Sequence, residues 1–306
     1  MRPSFCWQLR SRTLELGWRT LIMGVLNVTP DSFSDGGEFL RPERAVQHAL
    51  QMLDEGADIL DLGGESTRPG ARIAADEASA KSKPRPVVTE AEELRRVMPV
   101  LQGVLQARPG TIISVDTYKS GVARAAVEAG AEIVNDVSGF QWDPEMGRTC
   151  AELQCGVVLM HTRGEPEQWR TLPRELDIAA VVEHDLANRL LVARERGVER
   201  RHIVLDPGFG FGKNFEENYP LLAHFDQLDR LGFPLLAGTS RKSFVGRTVG
   251  KRAGKDARPA DRLFGSLAAM VASILRGAHI VRVHDVRPAV EAAAVADEVL
   301  AAGGDA

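Results

Sequence analysis

Polar and charged side chains follow each short apolar run of this sequence, and their types suit a charged ligand that forms hydrogen bonds. The residues at these run ends are Asn27, Asp61, Glu65, Thr67, Arg68, Asp116, Asn135, Asp136, His161, Asp206, Ser240, Lys242, Ser243, Arg282 and His284. A buried charge is costly unless it is paired, so a chain built only for stability would not place charge at so many run ends. We therefore interpret these groups as parts of one site.

Four of these residues suit a heterocyclic ligand. Asp116, Asn135 and Asp206 offer hydrogen-bond acceptors, which match a ligand edge rich in N–H donors, such as an aminopyrimidinone. Lys242 can donate to the carbonyl and the ring nitrogen of the same ligand. Asp116 or Asp206 alone could equally well cap the next helix. Their joint occurrence favours a heterocycle site.

Four other residues suit a polyanion. Arg68, Arg282 and His284 are donors for a ligand with several anionic oxygens. Asn27 adds an oxygen for a hard cation such as Mg²⁺, which usually keeps several waters. His284 alone would be interpreted as a structural residue. Together these residues predict a diphosphate site beside the heterocycle site.

The runs that carry these residues are rich in apolar and β-branched side chains, which is typical of buried strands. They span residues 20–28, 57–64, 111–116, 131–137, 156–161, 202–208, 233–240 and 278–285. Between them lie stretches with helical spacing, several of which end in Gly-Ala, as at Gly56, Gly130 and Gly277. This alternation of strands and helices predicts parallel strands closed into a (β/α)8 barrel, with an open doubly wound sheet as the alternative.

The remaining segments fit one domain over residues 1–306. Residues 1–18 alternate in a way that predicts a short hairpin across the barrel floor. Residues 72–90 and 247–258 are predicted to be mobile surface loops, because both are rich in turn-forming or charged residues. For the basic segment 247–258, two interpretations stay open, a solvated surface and a contact with phosphate.

Composition and charge exclude several classes of protein. The net charge is −4, with 38 basic and 42 acidic residues spread along the chain, whereas a nucleic-acid binder usually has a basic excess. No apolar run approaches the roughly 18 residues of a membrane span, and the first residues do not have the pattern of a targeting signal. Cys150 and Cys155 lack partners at metal-ligand spacing, so we predict buried free thiols. We expect a cytoplasmic protein that binds neither nucleic acid nor membrane.

The glycine-rich segment "GFGFGK" at residues 208–213 resembles a phosphate-binding loop only superficially. Pro207 stands where the first glycine of that motif belongs, and Asn214 stands where it has Ser or Thr. We predict instead a tight loop after the sixth barrel strand, with Phe211 free to stack on a ligand ring.

With these features, the chain resembles the bacterial dihydropteroate synthases from Leu21 to Val286. The motifs that carry the resemblance are, in order, MGVLNVTPDSFSDGG, DLGGESTRPGA, VDTYKSGVA, IVNDVSG, VLMHTRG, LDPGFGFGKN, GTSRKS and GAHIVRVHD. The resemblance implies a TIM barrel that condenses 6-hydroxymethyl-7,8-dihydropterin diphosphate with p-aminobenzoate in folate synthesis. It also implies Mg²⁺ as the cofactor, a homodimer and competition by sulfonamides.

The same resemblance assigns roles to individual residues. It places the pterin against Asp116, Asn135, Met160, Asp206, Phe211 and Lys242. It places the diphosphate against Asn27, Thr67, Arg68, Arg282 and His284, with Mg²⁺ on Asn27. It places p-aminobenzoate beside Phe33, Pro69 and Ser243. The expected catalytic residues are Asp35, Arg68 and Lys242, with Asp35 near the reacting carbon.

Two other functions stay open on the sequence. A pterin-barrel methyltransferase would share Asp116, Asn135 and Asp206 but would not need Arg68, Arg282 or the loop "TPDSFSDGG". A non-catalytic pterin-binding homologue is the other alternative, because folds outlast activities. For the synthase, the same loop is expected to close over bound diphosphate and to exclude water from the reacting carbon.

Overall fold

The computed structural model describes residues 2–29, 42–66 and 88–303. The chain begins with an antiparallel pair of strands, β1 (Phe5–Gln8) and β2 (Thr13–Leu16), which is the predicted hairpin. Parallel strands then follow along the chain: β3 (Leu21–Asn27), β4 (Ile59–Gly63), β5 (Ile112–Asp116), β6 (Ile133–Asp136), β7 (Gly156–Met160), β8 (Ile203–Asp206), β9 (Leu236–Ala237) and β10 (Ile280–Val283).

These parallel strands form one eight-stranded sheet in the order β8-β7-β6-β5-β4-β3-β10-β9. The two ends of the sheet meet through a parallel bridge between Leu205 and Leu235. The sheet is therefore a nearly closed (β/α)8 barrel, as predicted, and the open doubly wound alternative is wrong.

Helices surround the barrel. In the described part of the chain they are α1 (Pro42–Asp54), α2 (Glu90–Ala107), α3 (Ser120–Glu128), α4 (Met146–Leu153), α5 (Ile178–Glu195), α6 (Phe215–Ala223), α7 (Ser243–Gly250), α8 (Leu263–Leu275) and α9 (Val286–Ala302). Helix α1 shows why they pack: Ala45, Ala49 and Met52 recur at helical spacing and are buried in the main core cluster. No described helix is long and apolar enough to cross a membrane.

Side chains of the hairpin segment close the floor of the barrel. Trp7 and Leu9 pack against Met23 and Ile59, which point into the barrel from neighbouring strands. The Trp7 indole Nε1 donates a hydrogen bond of 2.8 Å to the carbonyl oxygen of His202. The hairpin is thus part of the core, and the polar strand ends lie at the opposite mouth.

The strand predicted over residues 233–240 is much shorter in the structure. Only Leu236 and Ala237 pair with β10, and Pro234, just before them, has no N–H group to donate to a ladder. Beyond Ala237 the chain leaves the sheet, and Arg241 adopts a positive φ of 56°.

The segment predicted as a loop over residues 247–258 is helical in its first part. Helix α7 continues to Gly250, and a 3₁₀ turn follows over Lys251–Ala253. Most of the other predicted loop, residues 72–90, lies outside the described residues. The cysteines are free thiols, and Cys150 and Cys155 are buried as predicted.

Candidate active site

A cavity of about 520 Å³ opens at the mouth of the barrel where the strands end. A small niche of about 20 Å³ adjoins it and shares Phe211, Gly238, Lys242 and Arg282 with it. The predicted site residues that line one or both spaces are Asn27, Asp116, Asn135, Met160, Asp206, Phe211, Lys242, Ser243, Arg282 and His284. The predicted site residues Phe33, Asp35, Thr67, Arg68 and Pro69 lie outside the described residues.

Arg282 is the centre of a buried ion-pair network. Its Nε donates to Oδ2 of Asp61 at 2.5 Å, and its Nη2 donates to Oδ2 of Asp116 at 2.6 Å. Burial raises the pKa of Asp116 to about 7, although Arg282 acts in the opposite direction. In this structure Arg282 is therefore tied to two carboxylates at the cavity wall, whereas the sequence suggested an arginine devoted to an anion.

Asp61 also fixes the orientation of Asn135. The Asn135 side-chain nitrogen donates to Oδ2 of Asp61 at 3.0 Å, so its amide oxygen is left as the group that can accept from a ligand. Asn135 lines the niche together with Asp206. Asp61 was expected at a strand end without a specific role, and in the structure it lies in the middle of β4. The signal was available, because Ile59, Asp61 and Gly63 alternate with Leu60 and Leu62, which pack outward against the helices.

Asp206, in β8, and Lys242, in the chain beyond β9, both line the niche. One oxygen of Asp206, Oδ1, accepts from the backbone N–H of Gly208 at 2.7 Å. Burial raises the pKa of Asp206. Burial, aided by Arg282, lowers the pKa of Lys242 to about 8. Because both residues line the niche, a ligand there can meet an acceptor and a donor at once.

The turn that presents Lys242 is held by its neighbour Arg241. The Arg241 guanidinium binds Asp285 through two hydrogen bonds, of 3.0 Å from Nε and 2.5 Å from Nη2. Its backbone N–H donates to the Ser266 hydroxyl at 2.9 Å. These contacts stabilise the left-handed conformation of Arg241, which costs free energy in a residue other than glycine. Lys242 and Ser243, at the start of α7, are thereby fixed at the cavity.

His284 faces the cavity as a neutral ring. Its Nδ1 lies 3.1 Å from the Ser240 hydroxyl, which also accepts from the His284 backbone N–H at 3.2 Å. Burial, followed by the charge of Arg282, lowers the pKa of His284 to about 3. Without an anion in the cavity, His284 can therefore donate a hydrogen bond near neutral pH but carries no positive charge.

An aromatic wall forms one side of the cavity. The Lys242 ammonium lies 4.0 Å from the centroid of the Phe211 ring, which is a cation–π distance. The edge of Trp169 contacts the same ring at a centroid distance of 5.1 Å. Trp169 lines the cavity and was not predicted, because nothing in the surrounding segment "RGEPEQWR" distinguishes a buried tryptophan from a surface one.

The protein ligands available near Asn27 determine how a Mg²⁺ ion could bind. Among the residues that the structure describes, no group of three or more His, Cys, Asp or Glu side chains could hold a metal ion. Mg²⁺ commonly takes one or two protein oxygens together with phosphate oxygens and waters. The Asn27 amide oxygen therefore fits a Mg²⁺ ion that a diphosphate brings or shares.

Comparisons with known proteins agree with this geometry. The family model described as "Pterin binding enzyme" matches residues 23–284. Dihydropteroate synthase of Bacillus subtilis (strain 168) is 42% identical over 286 residues, which cover 94% of this chain and 90% of the relative.

Solved structures show the same relationship. The Xanthomonas albilineans dihydropteroate synthase with 4-aminobenzoic acid has a TM-score of 0.83 and 42% identity, covering 98% of this chain and 99% of that one. The Yersinia pestis dihydropteroate synthase in a sulfonamide drug complex has a TM-score of 0.83 and 38% identity, covering 97% of this chain and 100% of that one. The chain therefore belongs to the pterin binding enzyme family and, within it, to the dihydropteroate synthases, which are transferases of folate synthesis.

Proposed function

We propose that this enzyme condenses 6-hydroxymethyl-7,8-dihydropterin diphosphate with p-aminobenzoate, giving 7,8-dihydropteroate and diphosphate. The observation that carries the proposal is the arrangement of Asn135, Asp206 and Lys242 around one niche. The orientation of the Asn135 amide, fixed by Asp61, leaves acceptors for the N–H groups of a pterin edge. Lys242 supplies the donor for the pterin carbonyl and ring nitrogen.

The diphosphate would lie in the larger cavity, near Asn27, Arg282 and His284, which all line it. Arg282 can reach an anion while it still holds Asp61 or Asp116, because a guanidinium has five N–H donors. His284 donates as a neutral ring, and an approaching diphosphate would favour its protonation. A Mg²⁺ ion bound with the diphosphate near Asn27 would add charge neutralisation.

In the proposed reaction the bond between the pterin methylene carbon and the diphosphate oxygen breaks first, and the electron pair leaves with the diphosphate. Arg282 and His284, with Arg68, stabilise the growing negative charge. Asp35 is proposed to stabilise the carbocation that remains. The amine of p-aminobenzoate, beside Phe33, Pro69 and Ser243, then forms the C–N bond and loses a proton. An aryl amine is already largely unprotonated near neutral pH, so it needs orientation more than a strong base.

The proposal is tested by measuring diphosphate release and dihydropteroate formation with Mg²⁺, with and without p-aminobenzoate. We expect dihydropteroate only when both substrates are present, in amounts that match the diphosphate released. Pterin binding without turnover would instead favour the non-catalytic homologue. Transfer of a methyl group from a methylated tetrahydrofolate would favour the methyltransferase.

Asp206→Asn is expected to weaken pterin binding by about 1.5 to 3 kcal/mol, which is roughly 10- to 150-fold. The asparagine oxygen can still accept from Gly208, whose N–H lies 2.7 Å from Oδ1, so the loop should keep its shape. The new NH₂ group would then face the N–H donors of the pterin. Isothermal titration with 6-hydroxymethylpterin measures the effect. Asp226→Asn, at an exposed ion pair with Arg276, is the matched control and should leave affinity unchanged. Equal affinity of both variants would contradict the role of Asp206.

We also propose that the enzyme acts in the cytoplasm as a homodimer. The free thiols of Cys6, Cys150 and Cys155 suit a reducing compartment. For the dimer, the resemblance to the family is joined by an apolar surface on neighbouring helices, where Phe264 is 83% exposed and Val249 45% exposed. A second copy of the chain could cover these side chains.

A further inference from the structure

The loop after β8 turns sharply and lies against the end of β7. Gly208, Gly210 and Gly212 have positive φ angles of 66°, 80° and 65°, so alternate residues of the loop are left-handed. A Cβ atom at Gly208 would lie 1.9 Å from the carbonyl oxygen of His161. Such a loop has no ladder or helix of its own, and its shape must come from other hydrogen bonds.

Lys213 supplies several of those hydrogen bonds from beneath the loop. Its side chain is buried, and its Nζ donates to the carbonyl oxygens of Gly208 at 2.8 Å and Phe211 at 3.2 Å. The third contact of Nζ is Nδ1 of His161, at 2.8 Å. All three acceptors are neutral, and two of them belong to the loop that carries Phe211.

The state of His161 shows that Lys213 is the donor to it. His161 is fully buried, and its Nε2 lies 3.1 Å from Oδ2 of Asp185, which can only accept when ionised. Burial, followed by the charge of Lys213, lowers the pKa of His161 to about 3. The ring is therefore neutral with its hydrogen on Nε2, and Nδ1 must accept.

The contacts then require a charged Lys213. Three acceptors need three N–H donors, which an ammonium has and a neutral amine does not. Burial lowers the pKa of Lys213 well below its ordinary value, and the nearby carboxylate of Asp206 acts against this. The three satisfied donors make the buried charge tolerable.

We infer that Lys213 is a positioning residue for the pterin site. Its ammonium holds the carbonyls of Gly208 and Phe211 beneath the loop, which turns the Phe211 ring towards Lys242 and Trp169. It also keeps the Gly208 N–H on the Asp206 carboxylate. One buried charge that lines neither the cavity nor the niche thus sets two walls of the niche. This inference rests on the proposed pterin site.

The test compares the wild type, Lys213→Met and Lys213→Gln by titration with two probes, 6-hydroxymethylpterin and inorganic diphosphate. Lys213→Met keeps an unbranched side chain, one atom shorter, and removes every donor, whereas Lys213→Gln keeps two N–H groups. We expect Lys213→Met to bind the pterin roughly 10- to 100-fold more weakly, the range seen for groups that support metal ligands. The pterin affinity of Lys213→Gln should lie between the affinities of Lys213→Met and the wild type. Diphosphate affinity should stay within about twofold for both, since it depends on Arg282 and His284.

Lys251→Met, which removes an exposed lysine on the surface, is the matched control and should match the wild type with both probes. In turnover, Lys213→Met should raise KM for the pterin substrate more than it lowers kcat. Pterin affinity equal to that of the wild type, or an equal loss for both probes, would overturn the inference. If Lys213→Met does not fold, Lys213→Gln gives the same comparison. A wild type that fails to bind 6-hydroxymethylpterin would instead refute the proposed pterin site.

Discussion

Arg282→Ala is expected to lower the free energy of unfolding by about 3 to 5 kcal/mol near neutral pH, the usual cost of breaking a buried ion pair. The side chain of Arg282 is 18% exposed, and those of its partners Asp61 and Asp116 are 0% and 14% exposed. Among the described residues, removing the guanidinium leaves the Asp61 and Asp116 carboxylates with no positive partner in direct contact. Denaturant unfolding of the ligand-free enzyme measures the loss.

The loss should grow as the pH rises. The pKa of Asp116 is about 7 in the folded enzyme, above the value of about 3.9 in an unfolded chain. Between these values the folded state keeps a proton that the unfolded state has released, so stability falls as the pH rises through this window. Without Arg282 the pKa of Asp116 rises further, and the fall continues to higher pH. The gap in melting temperature between variant and wild type should therefore be wider at roughly pH 8.5 than at roughly pH 5.5.

Arg276→Ala is the control for this experiment, because its ion pair with Asp226 is about half exposed. We expect its free energy of unfolding to change by no more than about 0.5 kcal/mol, with no dependence on pH. A residue that only bound diphosphate would leave the affinity for 6-hydroxymethylpterin unchanged when removed. The bond from Arg282 to Asp116 predicts that pterin affinity also falls in Arg282→Ala. An unchanged unfolding free energy in that variant would show that the ion pairs are not maintained in solution.

Trp7→Ala is the second variant with a large expected effect, about 3 to 5 kcal/mol of unfolding free energy. Trp7 is 1% exposed, fills the barrel floor and donates to the carbonyl oxygen of His202. The substitution would leave a cavity and remove the hydrogen bond. Thermal and denaturant unfolding, followed by circular dichroism, measure the loss.

Trp18→Ala provides a matched comparison within the same chain, since Trp18 is 69% exposed and contacts the Arg19 guanidinium at 4.9 Å. We expect Trp18→Ala to change the free energy of unfolding by less than about 1 kcal/mol. Because Trp7 lies at the end of the barrel opposite the site, its replacement should leave pterin affinity of the folded fraction intact. Similar effects of the two substitutions would show that the hairpin does not seal the floor.

Much of the fold could be predicted because the strands are short, buried runs with helices between them. The helix ends at Gly56, Gly130 and Gly277 have positive φ angles of 102°, 114° and 103°, as the Gly-Ala pattern predicted. The extent of β9 could not be predicted, because ladder pairing depends on neighbouring strands and not on local composition. The same is true of residues 247–250, where helix α7 extends into a segment that appeared too rich in glycine and charge.

The grouping of polar side chains at the strand ends could be predicted, and Asp116, Asn135, Asp206 and Lys242 do lie around the cavity and its adjoining niche. The role of Asp61 in orienting the site could not be predicted, because its partner Arg282 is 221 positions away. Lys213 follows a glycine-rich stretch, and nothing in that stretch indicates that its side chain is buried. Its burial depends on His161, 52 positions earlier. Spacing along the chain reveals which groups share the mouth of a barrel, but it does not reveal which of them bind each other.

The barrel is joined most sparingly between β8 and β9, where a single bridge links Leu205 to Leu235. Asp206 follows that bridge on one side, and Lys242 comes from the chain beyond β9 on the other. A pterin held by both residues would span this seam as a non-covalent cross-link. At a concentration 100 times its Kd such a ligand adds about 2.7 kcal/mol to the stability of the folded state. Pterin binding would therefore stabilise the barrel at the point where the fewest backbone hydrogen bonds join neighbouring strands.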